Sequence, residues 1–336
     1  MKIAATLCLL LASTEAYYFY SLGDWGGSSD SSPTTQVEKN NAAGMVRAAH
    51  GLDASKPEFA LLVGDNFYSA GIAGNEYSKR FTQTFENVFD ISNPELNTPF
   101  YAIAGNHDHG GNVTAQIAYS KHSSRWTYDD YWYTKSHTDN GITTQVVMID
   151  TVTIAGMAYK NDSTGEIHSN EPHPMQARLA SQLQWLEDTL KSSTADYLWV
   201  VGHYPVYSQC EHGPTGAIIR NVLPLMSKYE ASGYIAGHDH CSGYYFDDNM
   251  AFVIAGAGKE CCYSPDNLNN KADPGEPWFR MDKGKNQGDG GGFASYHVNA
   301  TGTQIRFHKA STGEVQYEPP VIKPRAKRSM LVEQAA

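Results

Sequence analysis

Polar residues that can bind metal ions follow five apolar runs along this chain. Each run ends in a glycine, and one or two oxygen or nitrogen ligands stand directly after it. These ligands are Asp24, Asp65, Asn106, His203, His238 and His240. A single Asp or His of this kind is more often a turn or cap residue. Because ligands bind at the carboxyl ends of the strands in open α/β sheets, the set of six predicts one metal-binding rim.

Two spacings indicate a pair of metal ions. His238 and His240 are two residues apart, so in extended backbone both imidazoles point the same way, about 7 Å apart, and can lean onto two ions roughly 3.5–4 Å apart. Asp65 and Tyr68 are three residues apart, which places them on one side of a chain that turns helically. Since a free phenol has a pKa of about 10, phenolate ligation at neutral pH favours a trivalent ion such as Fe(III).

Alternating strand and helix patterns would position these residues. This alternation implies a largely parallel core with helices outside it. Strands are predicted over 17–22, 59–63, 100–104, 145–149, 197–201 and 234–236, and helices over 37–51, 76–89, 175–191 and 216–229. Three later apolar runs, 252–255, 293–298 and 304–308, lack intervening helices and predict an antiparallel partner sheet. The expected architecture is a sandwich of two sheets flanked by helices.

The first residues have the features of a secretory signal peptide. Lys2 precedes an apolar run over residues 3–12, and small residues end at Ala16, near which cleavage is expected. A buried first strand or helix is the alternative. The run is too short to span a bilayer, and no other segment is long enough, so no membrane partner is expected. We predict a signal peptide over 1–16, a single catalytic domain over 17–318 and a solvated or disordered tail over 319–336.

Composition narrows the class of protein. The 336 residues include 25 Lys and Arg against 36 Asp and Glu, a formal net charge of −11. Binding to a phosphate backbone depends mainly on basic residues, so this balance argues against a nucleic-acid partner. With 41% hydrophobic and only 18% charged residues, the composition is that of a folded globular protein.

Cysteine usage and glycosylation sequons agree with export. Cys8 leaves with the signal peptide, and the four remaining cysteines allow three pairings: they are Cys210, Cys241, Cys261 and Cys262. A zinc site is disfavoured because no Cys-x-x-Cys spacing occurs. Cys261 and Cys262 are expected to bond to different partners, since a bridge between adjacent cysteines is strained. Sequons for N-glycans begin at Asn112, Asn161 and Asn299.

Five motifs in this order resemble the calcineurin-like metallophosphoesterases. They are Leu22-Gly-Asp24-Trp25-Gly26, Gly64-Asp65-Asn66-Phe67-Tyr68, Gly105-Asn106-His107-Asp108-His109, Val200-Val201-Gly202-His203 and Gly237-His238-Asp239-His240. Tyr68 in the second motif is typical of purple acid phosphatases. The segments His203-Tyr204-Pro205 and Glu211-His212-Gly213-Pro214 resemble the small tartrate-resistant branch. The resemblance covers about residues 17–309 and implies an α/β fold, a four-layer αββα sandwich of two mixed sheets flanked by helices.

The same resemblance implies a role for each matching residue. The implied Fe(III) ligands are Asp24, Tyr68 and His240, with Asp65 as the bridge between the metals. The implied ligands of a divalent ion, which by similarity is Fe, Zn or Mn, are Asn106, His203 and His238. His107 and His212 would face the substrate, orienting the phosphoryl group or protonating the leaving alcohol. Asp239 is interpreted as a loop residue, and His109 as the one remaining histidine that could reach substrate.

The implied activity is that of an acid phosphatase. It would hydrolyse phosphate monoesters with a metal-bound hydroxide as nucleophile, act as a monomer, and be secreted or delivered to a lysosome or vacuole. A metallophosphodiesterase or nucleotide pyrophosphatase is the nearest alternative, and Tyr68 argues against it. A catalytically silent secreted glycoprotein that binds metal or phosphate is the second, and the complete set of ligand types argues against it. The polar segment 154–174 is read as a surface loop, with the alternative that it overhangs the site.

Overall fold

The computed structural model describes residues 17–28, 33–51, 56–156, 159–160, 167–168, 175–269, 274, 277–283 and 290–326. Three sequence predictions fall wholly or mainly on other residues: the signal peptide, the Asn161 sequon and the overhanging loop at 154–174. They lie outside the described residues.

Sixteen strands and seven α-helices are assigned in this part of the chain. The strands are β1 (Tyr17–Leu22), β2 (Phe59–Leu62), β3 (Phe100–Ala102), β4 (Trp126–Thr127), β5 (Tyr133–Asp139), β6 (Ile142–Met148), β7 (Tyr159–Lys160), β8 (Ile167–His168), β9 (Tyr197–Val201), β10 (Gly233–Ala236), β11 (Ser242–Asp247), β12 (Met250–Ala255), β13 (Phe279–Met281), β14 (Gly292–Asn299), β15 (Gly302–Lys309) and β16 (Val315–Tyr317). The helices are α1 (Gln36–His50), α2 (Asn106–His109), α3 (Val113–Tyr119), α4 (Thr151–Ala155), α5 (Met175–Ser192), α6 (Gly216–Asn221) and α7 (Leu223–Lys228).

Two seven-stranded mixed sheets form the centre of the sandwich. The first has the order β16-β15-β14-β1-β2-β3-β4, and the second has the order β13-β11-β12-β10-β9-β6-β5. β1 to β4 run parallel in the first sheet, as do β6, β9, β10 and β12 in the second. In the first sheet β14, β15 and β16 are added beside β1 by antiparallel pairing, and in the second sheet antiparallel pairing adds β11 and β13 on one side and β5 on the other. The predicted α/β sandwich of two mixed sheets is therefore confirmed.

The late strands do not form a sheet of their own, so that part of the prediction is wrong. β12 lies parallel to β10 inside the second sheet, whereas β14 pairs antiparallel with β1 and carries β15 with it. β1 would otherwise be an open edge, and an open edge exposes unpaired backbone groups. The returning chain covers that edge, which is why each sheet combines parallel and antiparallel strands.

Aromatic side chains fill the space between the sheets. The ring of Tyr296 stacks on Phe19 with centroids 4.5 Å apart and meets the ring of Trp199 from the other sheet at 5.5 Å. All three are fully buried. Outside the second sheet, a separate apolar cluster packs beneath α4 to α7 and includes Leu186 and Ile218. Large buried rings give this core much of its apolar area.

Two predicted helices differ from the structure. Instead of a regular helix over 76–89, the structure has the π-helix Phe81–Glu86, from which Phe81 and Phe85 pack edge-on against the buried Trp126 ring. The predicted helix over 216–229 breaks at Val222 into α6 and α7. Pro224 follows that break, and proline lacks the backbone N–H that a continuous helix needs.

The first part of the expected solvated tail is packed against the domain. Ile322 is buried and forms two backbone hydrogen bonds with Thr303, at 2.8 and 3.0 Å. The Arg325 guanidinium donates to the carbonyl oxygens of Tyr229 and Glu230, at 2.9 and 2.8 Å. Ile322 and Arg325 anchor residues 319–326 to the domain, so this stretch is not disordered, whereas Pro320, Val321, Lys323 and Ala326 are exposed to solvent.

The cysteine pairing also differs from expectation. Cys210 is bonded to Cys241, and Cys261 is bonded to Cys262. The first two sulfur atoms meet inside the apolar cluster beneath the second sheet, where both residues are buried. Because Cys210 and Cys241 are bonded to each other, Cys261 and Cys262 are left with each other as partners.

Among the described residues, no helix has the length and apolar character needed to cross a membrane.

Acid sensitivity of folding is expected from one buried histidine. His308 is 3% exposed, with Nδ1 2.8 Å from the Gly313 carbonyl and Nε2 2.7 Å from the Ser295 hydroxyl. Burial lowers its pKa to about 4 from an ordinary 6.5. When the pH is below 6.5, the histidine of the unfolded chain binds a proton that the buried His308 of the folded protein does not bind. The stability of the folded protein at neutral pH is therefore partly lost as the pH falls. By pH 4 the loss is about 3 kcal/mol.

Urea unfolding of the protein and of His308→Gln at neutral pH and near pH 4 measures this effect. We expect the free energy of unfolding to fall by less in the variant, because glutamine does not titrate. An equal fall in both proteins would contradict the assignment.

Candidate active site

The site lies where the carboxyl ends of both sheets meet. Asp24, Asp65 and Asn106 follow β1, β2 and β3 of the first sheet, whereas the two histidine motifs follow β9 and β10 of the second. The sequence predicts convergence on a single rim, and the structure builds that rim from two sheets rather than one. A cleft between the ends of two sheets allows ligands to approach from both sides.

Glycines let the strand ends approach closely. A Cβ atom added to Gly23 would lie 2.6 Å from Val63 Cγ2 and 3.1 Å from the Cα atom of Gly237 in the other sheet. Gly64 has a positive φ of 94°, and a Cβ there would lie 2.5 Å from Nδ1 of His203. Real Cβ atoms do not tolerate such distances, so larger residues at either position would push the two sheets apart. This explains why a glycine precedes the polar residue in each motif.

Three candidate ligands have strained backbone conformations. The φ angles of Asp24, Asp65 and His238 are 56°, 53° and 73°, in the left-handed region that residues other than glycine rarely adopt. Strain of this kind persists where surrounding structure holds it and is concentrated at functional sites. The three residues turn sharply out of their strands, which aims their side chains into the cleft.

One group of four potential ligands surrounds the phenol oxygen of Tyr68. Tyr68 Oη lies 3.1 Å from Asp24 Oδ1, 3.1 Å from Asp65 Oδ2 and 2.9 Å from His240 Nε2. His240 Nε2 is 3.6 Å from Asp24 Oδ1. We call these residues the tyrosine group. Its members are the residues expected to hold Fe(III) together with the expected bridge.

A second group shares the Asp65 carboxyl group. His203 Nε2 lies 3.0 Å from Asn106 Oδ1 and 3.4 Å from Asp65 Oδ1. We call Asn106 and His203, with the shared Asp65, the histidine group. Oδ1 of Asp65 faces this group, while Oδ2 faces the tyrosine group. Ligand atoms of Asp24, Asp65 and His203 all lie within 4.8 Å of one another. The arrangement has the form of two adjacent ligand sets joined by one carboxylate.

Three further histidines lie around these groups. His238 is close to His203, with ring centroids 5.2 Å apart, and stacks on His212 at 4.3 Å. His107 packs on the Tyr68 ring at 4.6 Å, with Nε2 3.8 Å from Asp65 Oδ2. His107 and His212 therefore lie beside different ligand groups, as residues expected to face substrate on two sides would.

The charges of the site suit a bound cation. Burial raises the pKa of Asp24 well above its usual range, and the neighbouring Asp65 adds to the effect. Burial and the same two carboxyl groups raise the pKa of Tyr68 strongly. Burial would also raise the pKa of Asp65, but the nearby His203 and His107 hold it well below its usual range. Two carboxyl groups and a phenol oxygen within hydrogen-bonding distance repel one another when ionised, so the donor set fits bound metal ions.

Asp108 joins two of the ligand loops, a role that sequence reasoning missed. Its Oδ2 accepts hydrogen bonds from the backbone N–H groups of Gly105 and Asn66, at 2.8 and 3.0 Å. Gln116 Nε2 donates to Oδ1 at 2.8 Å. The position of Asp108 within the third motif is the only sequence signal for this role.

Asp239 differs from its interpretation as a loop residue. It is fully buried, and its carboxylate accepts the His212 N–H at 2.8 Å and the Ser208 hydroxyl. Because it connects the His238–His240 turn to the loop that carries His212, Asp239 is a positioning residue. A plain turn residue would instead lie at the surface.

His109 does not face the cleft as expected. Its Nε2 lies 3.2 Å from Asp150 Oδ1, and that carboxylate also caps α4 by accepting the N–H of Val152 at 3.0 Å. A nearly buried imidazole held by a buried carboxylate is structural. The expectation that His109 reaches substrate is therefore wrong.

Comparisons with known proteins agree with this geometry. The family model described as calcineurin-like phosphoesterase matches residues 18–242. Tartrate-resistant acid phosphatase type 5 of Sus scrofa is 40% identical over 253 residues, covering 74% of this chain and 71% of that protein. Purple acid phosphatase 3 of Arabidopsis thaliana is 28% identical over 295 residues, covering 86% of this chain and 74% of that protein.

Among solved structures, GAP50, described as the anchor in the inner membrane complex of Plasmodium, matches with a TM-score of 0.73. It is 22% identical and the match covers 93% of this chain and 90% of that one, which shows the fold alone.

The chain therefore belongs to the calcineurin-like phosphoesterase family. Its relatives bear the names of tartrate-resistant and purple acid phosphatases, so the resemblance seen in the motifs is confirmed. The prediction that the chain is an enzyme of the acid phosphatase type is confirmed with it. Homologues of that type imply a dinuclear metal centre, and Asp24, Asp65 and His203 form a group that could hold a metal ion.

Substitutions at Asp239 test its positioning role. Asp239→Ala leaves the Ser208 hydroxyl and the His212 N–H without their buried acceptor, which is expected to lower the free energy of unfolding by about 2 kcal/mol. Asp239→Asn is the matched control, because its amide oxygen still accepts the N–H and its amide nitrogen can donate to Ser208. Denaturant unfolding compares the two variants, and equal losses would contradict a role based on hydrogen bonding.

Proposed function

We propose that this protein hydrolyses phosphate monoesters under acidic conditions at a dinuclear centre of Fe(III) and a divalent Fe, Zn or Mn ion. The observation that supports this most directly is the carboxyl group of Asp65, whose two oxygens face different ligand groups. A buried carboxylate in that position suits a bridge between two ions. Tyr68 beside it favours a trivalent partner.

In this proposal the tyrosine group holds the Fe(III) ion, and the histidine group together with the neighbouring His238 holds the divalent ion. The proposed Fe(III) ligands are Asp24, Tyr68 and His240, the proposed ligands of the divalent ion are Asn106, His203 and His238, and Asp65 bridges. When bound, the metal pair would supply an acidified water and a positive surface for the transferred phosphoryl group. Three anionic ligands against one trivalent and one divalent ion leave a small positive charge. Such a charge attracts a monoester anion without retaining the phosphate product tightly.

Protein groups would orient the substrate and move a proton. The Nδ1 atom of His107 lies 2.5 Å from the Ser69 carbonyl oxygen, which can only accept, so Nδ1 carries hydrogen. A protonated His107 can then present Nε2–H toward a phosphoryl oxygen. His212 is exposed and stacks on His238, a position from which it can protonate the departing alcohol. Both roles use a protonated imidazole, a form that acidic conditions favour, which agrees with the acidic conditions of this proposal.

Export through the secretory pathway belongs to the same proposal. The signal-like residues 1–16, the sequons and the disulfides support it. Asn299 lies at the β14–β15 turn, where its Oδ1 accepts the N–H of Thr301 at 2.8 Å. Expression in a eukaryotic secretory host should yield a protein in the medium that begins near residue 17 and becomes smaller on treatment with an N-glycosidase. Retention of residues 1–16 or of the whole protein inside the cell would contradict export.

Elemental analysis, a visible spectrum and ester hydrolysis test the metal centre. We expect iron with a second metal ion, a visible band that gives a purple colour, and turnover of an aryl monoester well above that of the corresponding diaryl ester. Removal of the metals with a chelator should abolish both colour and turnover. Faster hydrolysis of the diester would indicate a phosphodiesterase, and metal binding without turnover would indicate a silent binding protein.

Tyr68→Phe is the sharpest variant, because it removes only the phenol oxygen. We expect loss of the visible band and at least about a tenfold fall in metal affinity or kcat/KM. Tyr128→Phe is the matched control, since Tyr128 is fully buried yet lies outside both ligand groups. If Tyr68→Phe kept both its colour and its activity, the proposed ligand set would be wrong.

A further inference from the structure

A short segment after β12 covers one side of the tyrosine group. The Lys259 ammonium lies 4.3 Å from the centroid of the Tyr68 ring, and Glu260 Oε1 lies 2.9 Å from Nδ1 of His240. Farther along the segment, Tyr263 stacks its ring on that of His240, with centroids 4.2 Å apart and an angle of 12° between the planes. The proposed mechanism gives none of the residues of this segment a role.

Two backbone hydrogen bonds hold Tyr263 in this position. Its N–H donates to the carbonyl oxygen of His240 at 3.0 Å, and its own carbonyl oxygen accepts the N–H of Lys283 at 3.0 Å. The first bond joins Tyr263 to the histidine whose ring it covers, and the second joins it to the chain that follows β13. The side chain is only half-buried. The backbone is therefore fixed while part of the phenol remains accessible to solvent.

The phenol oxygen of Tyr263 lies beside a proposed ligand atom without pointing along the same direction. Tyr263 Oη is 3.5 Å from Nε2 of His240, which is long for a hydrogen bond. The lone pair of Nε2 lies in the plane of the imidazole, whereas the stacked phenol lies in a layer above that plane. In the described part of the chain, this long contact is the one hydrogen-bond contact of the phenol oxygen. Its O–H thus has no short acceptor there.

Tyr263 also contacts the proposed proton donor. Its ring meets that of His212 at 84°, with centroids 5.4 Å apart. In the proposed reaction the phosphoryl group is attacked from the side of the ligand groups, and the departing alcohol takes a proton from His212. The phosphoryl oxygens then lie between His240 and His212, the two rings that Tyr263 contacts. His107 is assigned to one phosphoryl oxygen, and a second donor would serve another.

We propose that Tyr263 is a further substrate-binding residue, whose phenol O–H donates a hydrogen bond to a phosphoryl oxygen. An ordinary phenol keeps its proton below about pH 10, so under acidic conditions Oη is a neutral donor. Negative charge spreads over the outer oxygens of the phosphoryl group in the transition state, and a fixed donor aimed at one of them stabilises that state. This inference rests on the proposed function, because it requires substrate to bind between the ligand groups and His212.

Tyr263→Phe tests the inference, because it removes the phenol oxygen and keeps the ring on His240. With an aryl monoester and the metal-loaded protein, we expect kcat/KM to fall about a hundredfold, mainly through kcat, as when one donor to a reacting oxygen is removed. The affinity for inorganic phosphate, measured by calorimetry at acidic pH, should fall about tenfold. Iron content and the visible band should stay unchanged, because Tyr263 is not one of the proposed ligands.

Two further variants provide the controls. Tyr263→Leu removes the ring as well as the oxygen, so a comparison with Tyr263→Phe separates the hydroxyl group from the stacking on His240. Tyr229→Phe removes a phenol oxygen that lies 2.9 Å from Glu187 Oε1, in the helical layer outside the second sheet. This variant should keep the kcat/KM and the phosphate affinity of the unmodified protein.

The outcomes separate this inference from the proposed function. An unmodified protein without iron or without turnover would contradict the proposed function, and the inference with it. With both present, unchanged kcat/KM and phosphate affinity in Tyr263→Phe would overturn the inference alone. Loss of iron or of the visible band in Tyr263→Phe would also overturn it, because Tyr263 would then be a ligand. So would losses confined to Tyr263→Leu, since the ring and not the hydroxyl group would matter. Lower kcat and weaker phosphate binding in Tyr263→Phe at full iron content would support it.

Discussion

The shared carboxyl group of Asp65 is the interaction on which the site depends. It is buried, it faces Tyr68 through one oxygen and His203 through the other, and it accepts the backbone N–H of His107 at 3.0 Å. An ionised carboxylate in such a place is stable only when surrounding positive charge compensates its lost hydration. The histidines around it supply part of this positive charge. Metal ions would compensate the negative charge that Asp24 and Tyr68 carry when they are ionised. One buried anion thus links both ligand groups to each other and to the loop that carries His107.

Such a carboxylate can be shared only because the two sheets pack face to face with their carboxyl ends at the same cleft. Gly23 and Gly237 bring β1 and β10 close enough for Asp24 Oδ2 to accept the backbone N–H of His238 at 2.7 Å. The aromatic core between the sheets fixes their spacing over the whole interface. Helix propensity and turn chemistry alone would leave the two rims independent. Packing makes them a single site, and Asp108 and Asp239 then hold the loops at its edges.

The motifs were sufficient to predict the sandwich and the residues that converge, because five of the candidate ligands directly follow a short apolar run and a glycine: Asp24, Asp65, Asn106, His203 and His238. Only one glycine separates the end of each predicted strand from the candidate ligand, so the position of the strand end restricts where that residue can lie. Prediction was weaker where a side chain had several possible partners. In sequence Asp239 looks like an ordinary loop residue and His109 like a residue that could reach substrate, and only their buried partners, Ser208 and Asp150, show what they do. Similarly, Phe81 and Phe85 have the spacing of a regular helix, but in the structure they pack against Trp126 from a π-helix.

By itself the sequence determined the order of strands and helices, the ligand types and their distribution over five motifs, since these follow from local apolar patterns and residue chemistry. Tertiary structure decided which sheet each strand joined, which cysteines paired, how the segment 319–326 packed and which charges lie beside Tyr68 and His240. These features depend on contacts between residues far apart in the chain. The energy of such a contact is set by burial and distance in the folded protein, and no local pattern in the sequence encodes either quantity.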